Sequence, residues 1–179
     1  MNKTTAQQTE QPIAELKGNI HTILSGNSIE KEKLKGHYFH IHDTPEFMKK
    51  IGLTGEYFSI RYGIISRHRK KDDDHNLSEE NWIDLCNRII DPFVITRKRN
   101  AYKLFIDVKV NNRNIVVCVN VKKVGKILNV NAVKTVYGYR ERFISGEVIY
   151  KSKKITPEQT ALLDEPNALS LPSVRGDRR

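Results

Sequence analysis

The chain has 179 residues with 31 Lys+Arg against 21 Asp+Glu, a formal net charge of +10 and a sequence pI near 9.6. With 38% hydrophobic residues and a mean hydropathy of −0.56, it holds apolar material for one core of ~100 to 150 residues and not for two. No apolar run approaches the ~20 residues that cross a bilayer, the polar start Met1-Asn-Lys-Thr-Thr carries no signal-peptide stretch, and Cys86 and Cys118 sit in apolar patterns as small hydrophobes, so a soluble cytoplasmic protein without a signal peptide is expected.

In chain order, the first dozen residues are Gln/Thr-rich and are expected to stay disordered, because they bury too little to offset the entropy of ordering. Ile13, Leu16, Ile20, Ile23 and Leu24 then share one helical stripe that ends near Gly26-Asn27, so residues 1–36 read as an N-terminal arm with a helix. Such a stripe would let the arm lie over a cleft as an inhibitor. His37 to His42 is a short β-prone run. Thr44 is expected to cap a two-turn helix with Pro45 at its first position, Phe47, Met48 and Ile51 as its apolar face, and Gly52 as its stop. Tyr57 to Ser66 reads as extended, and Arg67 to His75 as a solvated charged connection.

The clearest helix follows. Ser78 caps it, Glu79 and Glu80 complement its positive end, and Trp82, Leu85, Cys86 and Ile89 repeat at helical spacing before Asp91-Pro92. The period then changes to two, with Tyr102, Leu104, Ile106, Val108 and Val110 alternating against Lys103, Phe105, Asp107 and Lys109. Asn111 to Asn114 signals a hairpin, Ile115 to Val121 a strand, Val124-Gly-Lys126 a turn, and Ile127 to Tyr137 another strand. The expected architecture is α+β, with N-terminal helices packed on a small antiparallel sheet of about four strands. That domain spans residues 37–154, and residues 155–179 form a basic, mobile tail.

The order of four segments resembles the phage MuF C-terminal domain, grouped with the phage barnase/EndoU/colicin/RelE-like nucleases. The segments are Asp43-Thr-Pro-Glu-Phe-Met-Lys-Lys-Ile-Gly-Leu53, His75-Asn-Leu-Ser before an amphipathic helix, Ile90-Asp-Pro-Phe-Val94, and Asn131-Ala-Val-Lys-Thr-Val-Tyr137, and the resemblance covers roughly residues 37–145. It implies metal-independent RNA cleavage by a toxin or phage effector, working in the cytoplasm of a bacterial or phage-infected host cell. Its matching positions here are His75, Thr135 and Tyr137, with His68 as a further acid–base candidate.

Cleavage without a metal needs a base for the 2′-hydroxyl, an acid for the leaving oxygen and cations for the phosphorane. Histidine, with an ordinary pKa of ~6.5, suits either proton-transfer task. The opposing reading of His75 is that it closes an Asp-rich loop. Arg61, Arg67, Lys134, Arg140 and Arg142 are the candidate nucleic-acid contacts, drawn from basic clusters that suit a phosphate backbone and that otherwise serve as solvated loop charges blunting sheet edges. Tyr57, Tyr62, Tyr137 and Tyr139 are available to stack bases or to complete the sheet. His37, His40 and His42, with Asp43 close behind, fit no standard zinc spacing, so no metal is expected; no glycine-rich phosphate loop is present, so no cofactor is expected. RNA is the expected partner, with an immunity or host-defence protein as a second, no membrane contact, and no indication of oligomeric state. The alternative function is a catalytically inactive nucleic-acid- or protein-binding module of phage or mobile-element origin.

Overall fold

A computed structural model of the protein describes residues 5–67, 75–124, 128–140 and 144–163. Helix α1 (Thr5–Ser25) begins inside the Gln/Thr-rich stretch, so the backbone expected to stay disordered is helical from Thr5 onward. Leu16, Ile20, Ile23 and Leu24 are all buried, as their stripe requires. Asn27 caps the short α2 (Ser28–Leu34), its side chain accepting from the Ile29 and Glu30 amides while its backbone amide donates to the Glu30 carboxylate.

The remaining elements are β1 (Tyr38–Asp43), α3 (Glu46–Lys50), β2 (Tyr57–Arg61), α4 (Tyr62–Arg67), α5 (Glu79–Arg88), β3 (Val94–Lys98), β4 (Ala101–Val110), β5 (Arg113–Val124), β6 (Leu128–Gly138), β7 (Glu147–Lys151) and α6 (Pro157–Ala161). The strands form one seven-stranded sheet in the order β1-β2-β6-β5-β4-β3-β7. It is mixed, because β2 runs parallel to β6 while the other neighbours are antiparallel. This corrects the expected antiparallel sheet of about four strands. β3 was hidden in the basic run Thr96-Arg-Lys-Arg99, whose turn places Arg99 at φ +57 without a glycine to announce it. β7 is a short edge strand with little alternation, and parallel pairing leaves no hairpin signal between partners so distant in the chain.

Two local expectations also give way. The extended run ends at Arg61, and Tyr62–Arg67 turns helical, burying Ile65 and packing Ile64 on the core, so packing overrides β-propensity. Thr44 does not cap α3. Pro45 occupies the cap position with no side-chain hydrogen bond, and the Thr44 hydroxyl instead accepts from Asn131 Nδ2 at 2.8 Å. The Ser78 cap is as expected, with the Asn81 amide donating to its Oγ at 3.1 Å. So is the hairpin: Val110 pairs with Arg113, and Asn111 and Asn112 both have positive φ, as a two-residue primed turn demands.

One face of the sheet, here the inner face, carries the main core. Trp82, Leu85, Cys86 and Ile89 from the α5 segment and the α1 stripe pack there against Phe58, Ile60, Leu104, Ile106, Val117, Val119 and Val136. The α1 helix therefore lies in the core, in contact with α5, and does not cover the outer face as an inhibitor. The outer face has a smaller core of Phe93, Val94, Phe105, Val116, Tyr139 and Ile144, packed by Ile155, Leu162 and Leu163 from the segment after β7. The start of the expected mobile tail is thus folded, with Gln159 buried, while residues 164–179 lie outside the described residues. A strand covered on both faces needs a continuous apolar run, and β5 supplies it in Ile115-Val-Val-Cys-Val119.

Candidate functional site on the outer sheet face

The outer-face residues follow from alternation about the buried positions. On β6 a bulge intervenes: Cys118 pairs with Thr135 and Val119 with Val133, leaving Lys134 unpaired between them. Lys103, Cys118 and Thr135 consequently form a row across β4, β5 and β6. Tyr137, two residues beyond Thr135, shares that face.

His75 reaches Tyr137 from the connection between α4 and α5. Leu77, buried in the main core, and the Ser78 cap anchor the chain just after it, and the Leu77 amide donates to the His75 carbonyl at 3.1 Å. The two rings meet at 5.8 Å between centroids and 41° between planes, although the residues are far apart in sequence. Both are half-buried. The Tyr137 hydroxyl also hydrogen-bonds to the Cys118 thiol. Burial pushes that thiol's pKa up, and the Tyr137 hydrogen bond and the Lys103 charge partly oppose the shift. Cys86, by contrast, is wholly buried on the inner face and its pKa is pushed up to about 12 by desolvation alone, in keeping with a core role.

The bulge carries Lys134 to the side of Lys122, and contact with that second amine, then desolvation, lowers its pKa below the ordinary lysine value. An anion between the two would relieve their repulsion. On β2, Ser59 lies beside Ala132 of β6, and Arg61, two residues further on the same face, stacks over the Tyr38 ring at 5.8 Å.

Of the residues singled out from sequence, the structure brings His75, Thr135, Tyr137 and Lys134 to one region of one face. Arg61 shares the face on the neighbouring strand, and Arg140 is exposed just past the end of β6. Arg67 turns back on its own helix, donating from Nε to the Gly63 carbonyl at 2.7 Å. His68 and Arg142 lie outside the described residues, as does Asp72-Asp-Asp74. Lys103 and Cys118 were not singled out, yet the alternation that placed Tyr102 and Leu104 inward already placed Lys103 outward, opposite the face of Val117 and Val119. In β1, a bulge between His40 and His42 separates the two histidines that simple alternation puts side by side. His40 Nε2 pairs with Asp43 Oδ1 at 3.0 Å and its ring meets Tyr57 at 4.6 Å. Among the described residues no cluster of three His, Cys, Asp or Glu is arranged to hold a metal, and no helix is long and apolar enough to cross a membrane.

No curated protein and no solved structure matches the chain. The family model of the phage MuF C-terminal domain matches residues 66–158, which include α5, β3 to β7 and therefore His75, Cys118, Thr135 and Tyr137. That span is more than half of the sequence, and the chain belongs to the phage MuF C-terminal domain family.

Proposed function

We propose that the outer sheet face binds RNA and cleaves it without a metal, with His75 and Tyr137 as the proton-transfer pair. The observation that carries this reading is the approach of the two rings on a face that also holds Lys103, Lys122 and Lys134. In the reaction His75 takes the proton of a ribose 2′-hydroxyl, and that oxygen attacks the adjacent phosphorus. The bond from phosphorus to the 5′-oxygen breaks as Tyr137 donates its proton to the leaving oxygen. A 2′,3′-cyclic phosphate and a 5′-hydroxyl result. Thr135 hydrogen-bonds a non-bridging oxygen, and the lysines oppose the charge that builds on the phosphorane. Nucleases of the barnase/EndoU/colicin/RelE-like kind, which the motif order resembles, work in this metal-independent way.

The experiment is incubation of the purified protein with total RNA and with tRNA in EDTA, followed by an end-group assay for 2′,3′-cyclic phosphate. Products that disappear in His75→Ala and fall steeply in Tyr137→Phe are expected. Cleavage that survives both substitutions refutes the assignment, and intact RNA with a salt-sensitive gel shift turns the reading to a binding module without chemistry.

A further inference from the structure

The outer face divides into two halves. Over β3, β4 and the start of β5 it is covered by Tyr139, Ile144, Ile155, Leu162 and Leu163, which pack on Phe93, Val94, Phe105 and Val116. Over β1, β2 and the adjoining part of β6 the small side chains of Ser59 and Ala132 lie buried, and the larger side chains around them are aromatic or cationic. Phe39 and Ile41 of β1 and Phe58 and Ile60 of β2 point into the main core, so Tyr38, His40, Tyr57 and Arg61 stand on the outer side. Tyr38 is 62% exposed, an unusual state for a large ring on a strand, and its one face is backed by the Arg61 guanidinium. Next to them across the sheet stand Lys134 and Lys122.

We propose that this half is a platform for an unpaired polynucleotide strand flanking the cleavage site, a proposal that rests on the RNA-cleaving reading of His75 and Tyr137. Bases stack on Tyr38 and on the His40–Tyr57 pair, and phosphates lie along Arg61, Lys134 and Lys122. The polarity of the strands sets the layout. Because β2 and β6 are parallel, with Ser59 beside Ala132, Arg61 and Tyr38 lie toward the Tyr137 end, and His40 and Tyr57 lie farther from it. Crossing from β1 to β6 spans two inter-strand steps, ~10 Å, which suits a few splayed nucleotides whose unpaired bases are free to stack on side-chain rings. Asp43, paired with His40, sets the acidic far border. Exposed rings and cations around small side chains favour a single strand over a protein partner.

The test is fluorescence anisotropy in EDTA with a short labelled 2′-O-methyl oligoadenylate, which cannot be cleaved through its 2′-oxygen, and with a duplex of the same length. Wild type should bind the single strand at least tenfold more tightly. Tyr38→Ala should weaken that binding about tenfold, the loss of one stacked base, while Tyr38→Phe retains it. Lys122→Gln with Lys134→Gln should flatten the salt dependence, which Tyr38→Ala leaves unchanged. Equal affinity for duplex and single strand, equal binding by Tyr38→Ala, or no binding at all overturns the platform, the last being the outcome if the face docks a protein. Cleavage of ribo-oligonucleotide by wild type and His75→Ala is read in parallel. RNA left intact by a wild type whose binding still depends on Tyr38 removes the chemistry and keeps the platform. His75-dependent cleavage with Tyr38-independent binding does the reverse.

Discussion

Asn131 provides the sharpest test of how the β1–β2 hairpin is held against the rest of the sheet. Its side chain is wholly buried. Nδ2 donates to Thr44 Oγ1 at 2.8 Å and toward the Leu53 and Gly55 carbonyls at 3.3 Å each, and Oδ1 accepts from the Gly55 amide at 3.2 Å. One amide thus ties the whole segment between β1 and β2 to β6, beside a parallel ladder with only two register pairs, Phe58 with Asn131 and Ser59 with Ala132. Replacing it with alanine strands the buried Gly55 amide, at ~1–3 kcal/mol, and removes the carbonyl and Thr44 contacts at ~0.5–1.5 kcal/mol net for each. The expected cost of Asn131→Ala is about 3–5 kcal/mol, or a fall in Tm of roughly 6–20 °C for a chain of this size. Urea unfolding followed by the fluorescence of the single tryptophan, Trp82, which is fully buried, measures it directly. Thr44→Ala should couple to it by about 1 kcal/mol or more in a double-mutant cycle. Asn131→Asp adds a sign test. Burial would hold the new carboxyl's folded pKa above its unfolded value of ~3.9, so its stability relative to wild type is fullest below that pH and is lost as pH rises toward the folded pKa. A cost under about 1 kcal/mol for Asn131→Ala, or strict additivity with Thr44→Ala, would refute the staple.

Three further outcomes follow from the packing. Cys86, with its pKa at about 12 on the inner face, should resist a thiol reagent at pH 8 until the protein is unfolded in urea, whereas the less buried Cys118 should react in the native state at a rate that rises with pH; equal native reactivity of both thiols counts against this core. Deleting residues 1–26 removes Leu16, Ile20, Ile23 and Leu24, each worth ~1.5–3 kcal/mol buried, a total that rivals the ~5–15 kcal/mol stability of a whole domain, so the truncated chain should be unfolded by circular dichroism rather than more active. Gly55→Ala should cost at least about 3 kcal/mol by the same urea assay, since a Cβ there would meet the Asn131 amide nitrogen at 2.3 Å and the Val130 carbonyl carbon at 2.5 Å, both backbone atoms that cannot swing away; a near-neutral variant would mean that the segment sits elsewhere.

Elements that carry their own periodicity were legible from sequence. Trp82, Leu85, Cys86 and Ile89 announced α5, Ser78 its start, and the alternation from Tyr102 to Val110 announced β4 together with the face each residue takes. What stayed hidden depends on partners rather than on period. The β2–β6 pairing is made by residues on opposite sides of α4 and α5, and the polar Thr44 and Asn131, which read as a helix cap and a strand residue, are bonded to each other. The two bulges acted in opposite ways. In β1 the bulge separates His40 from His42 and undoes a same-face pair, while in β6 it turns Lys134 toward Lys122 and adds a cation to the face.

The same distinction explains why the candidate site was half visible. Thr135 and Tyr137 are on one face by alternation alone, and the run Ile115 to Val119 already implied that β5 is covered on both sides, so some roof over the outer face was implicit in the sequence. Where that roof stops was not. It is set by Tyr139, Ile144 and residues 155–163, which carry no periodic stripe and hold their place through Tyr139 edge-on to Phe105 at 5.0 Å, the Ile144 amide on the Leu162 carbonyl, and a buried Gln159. Tyr137 and Cys118 lie at the margin of this roof, packed against its apolar residues, while Lys134 on the next turn of the strand is exposed. A phenol half-shielded on one side and beside open cations on the other is where a phosphate can be held and partly desolvated at once. The proposed chemistry would fall at the boundary between the two halves, and it is the boundary, more than any single residue, that the His75 and Tyr38 substitutions interrogate from its two sides.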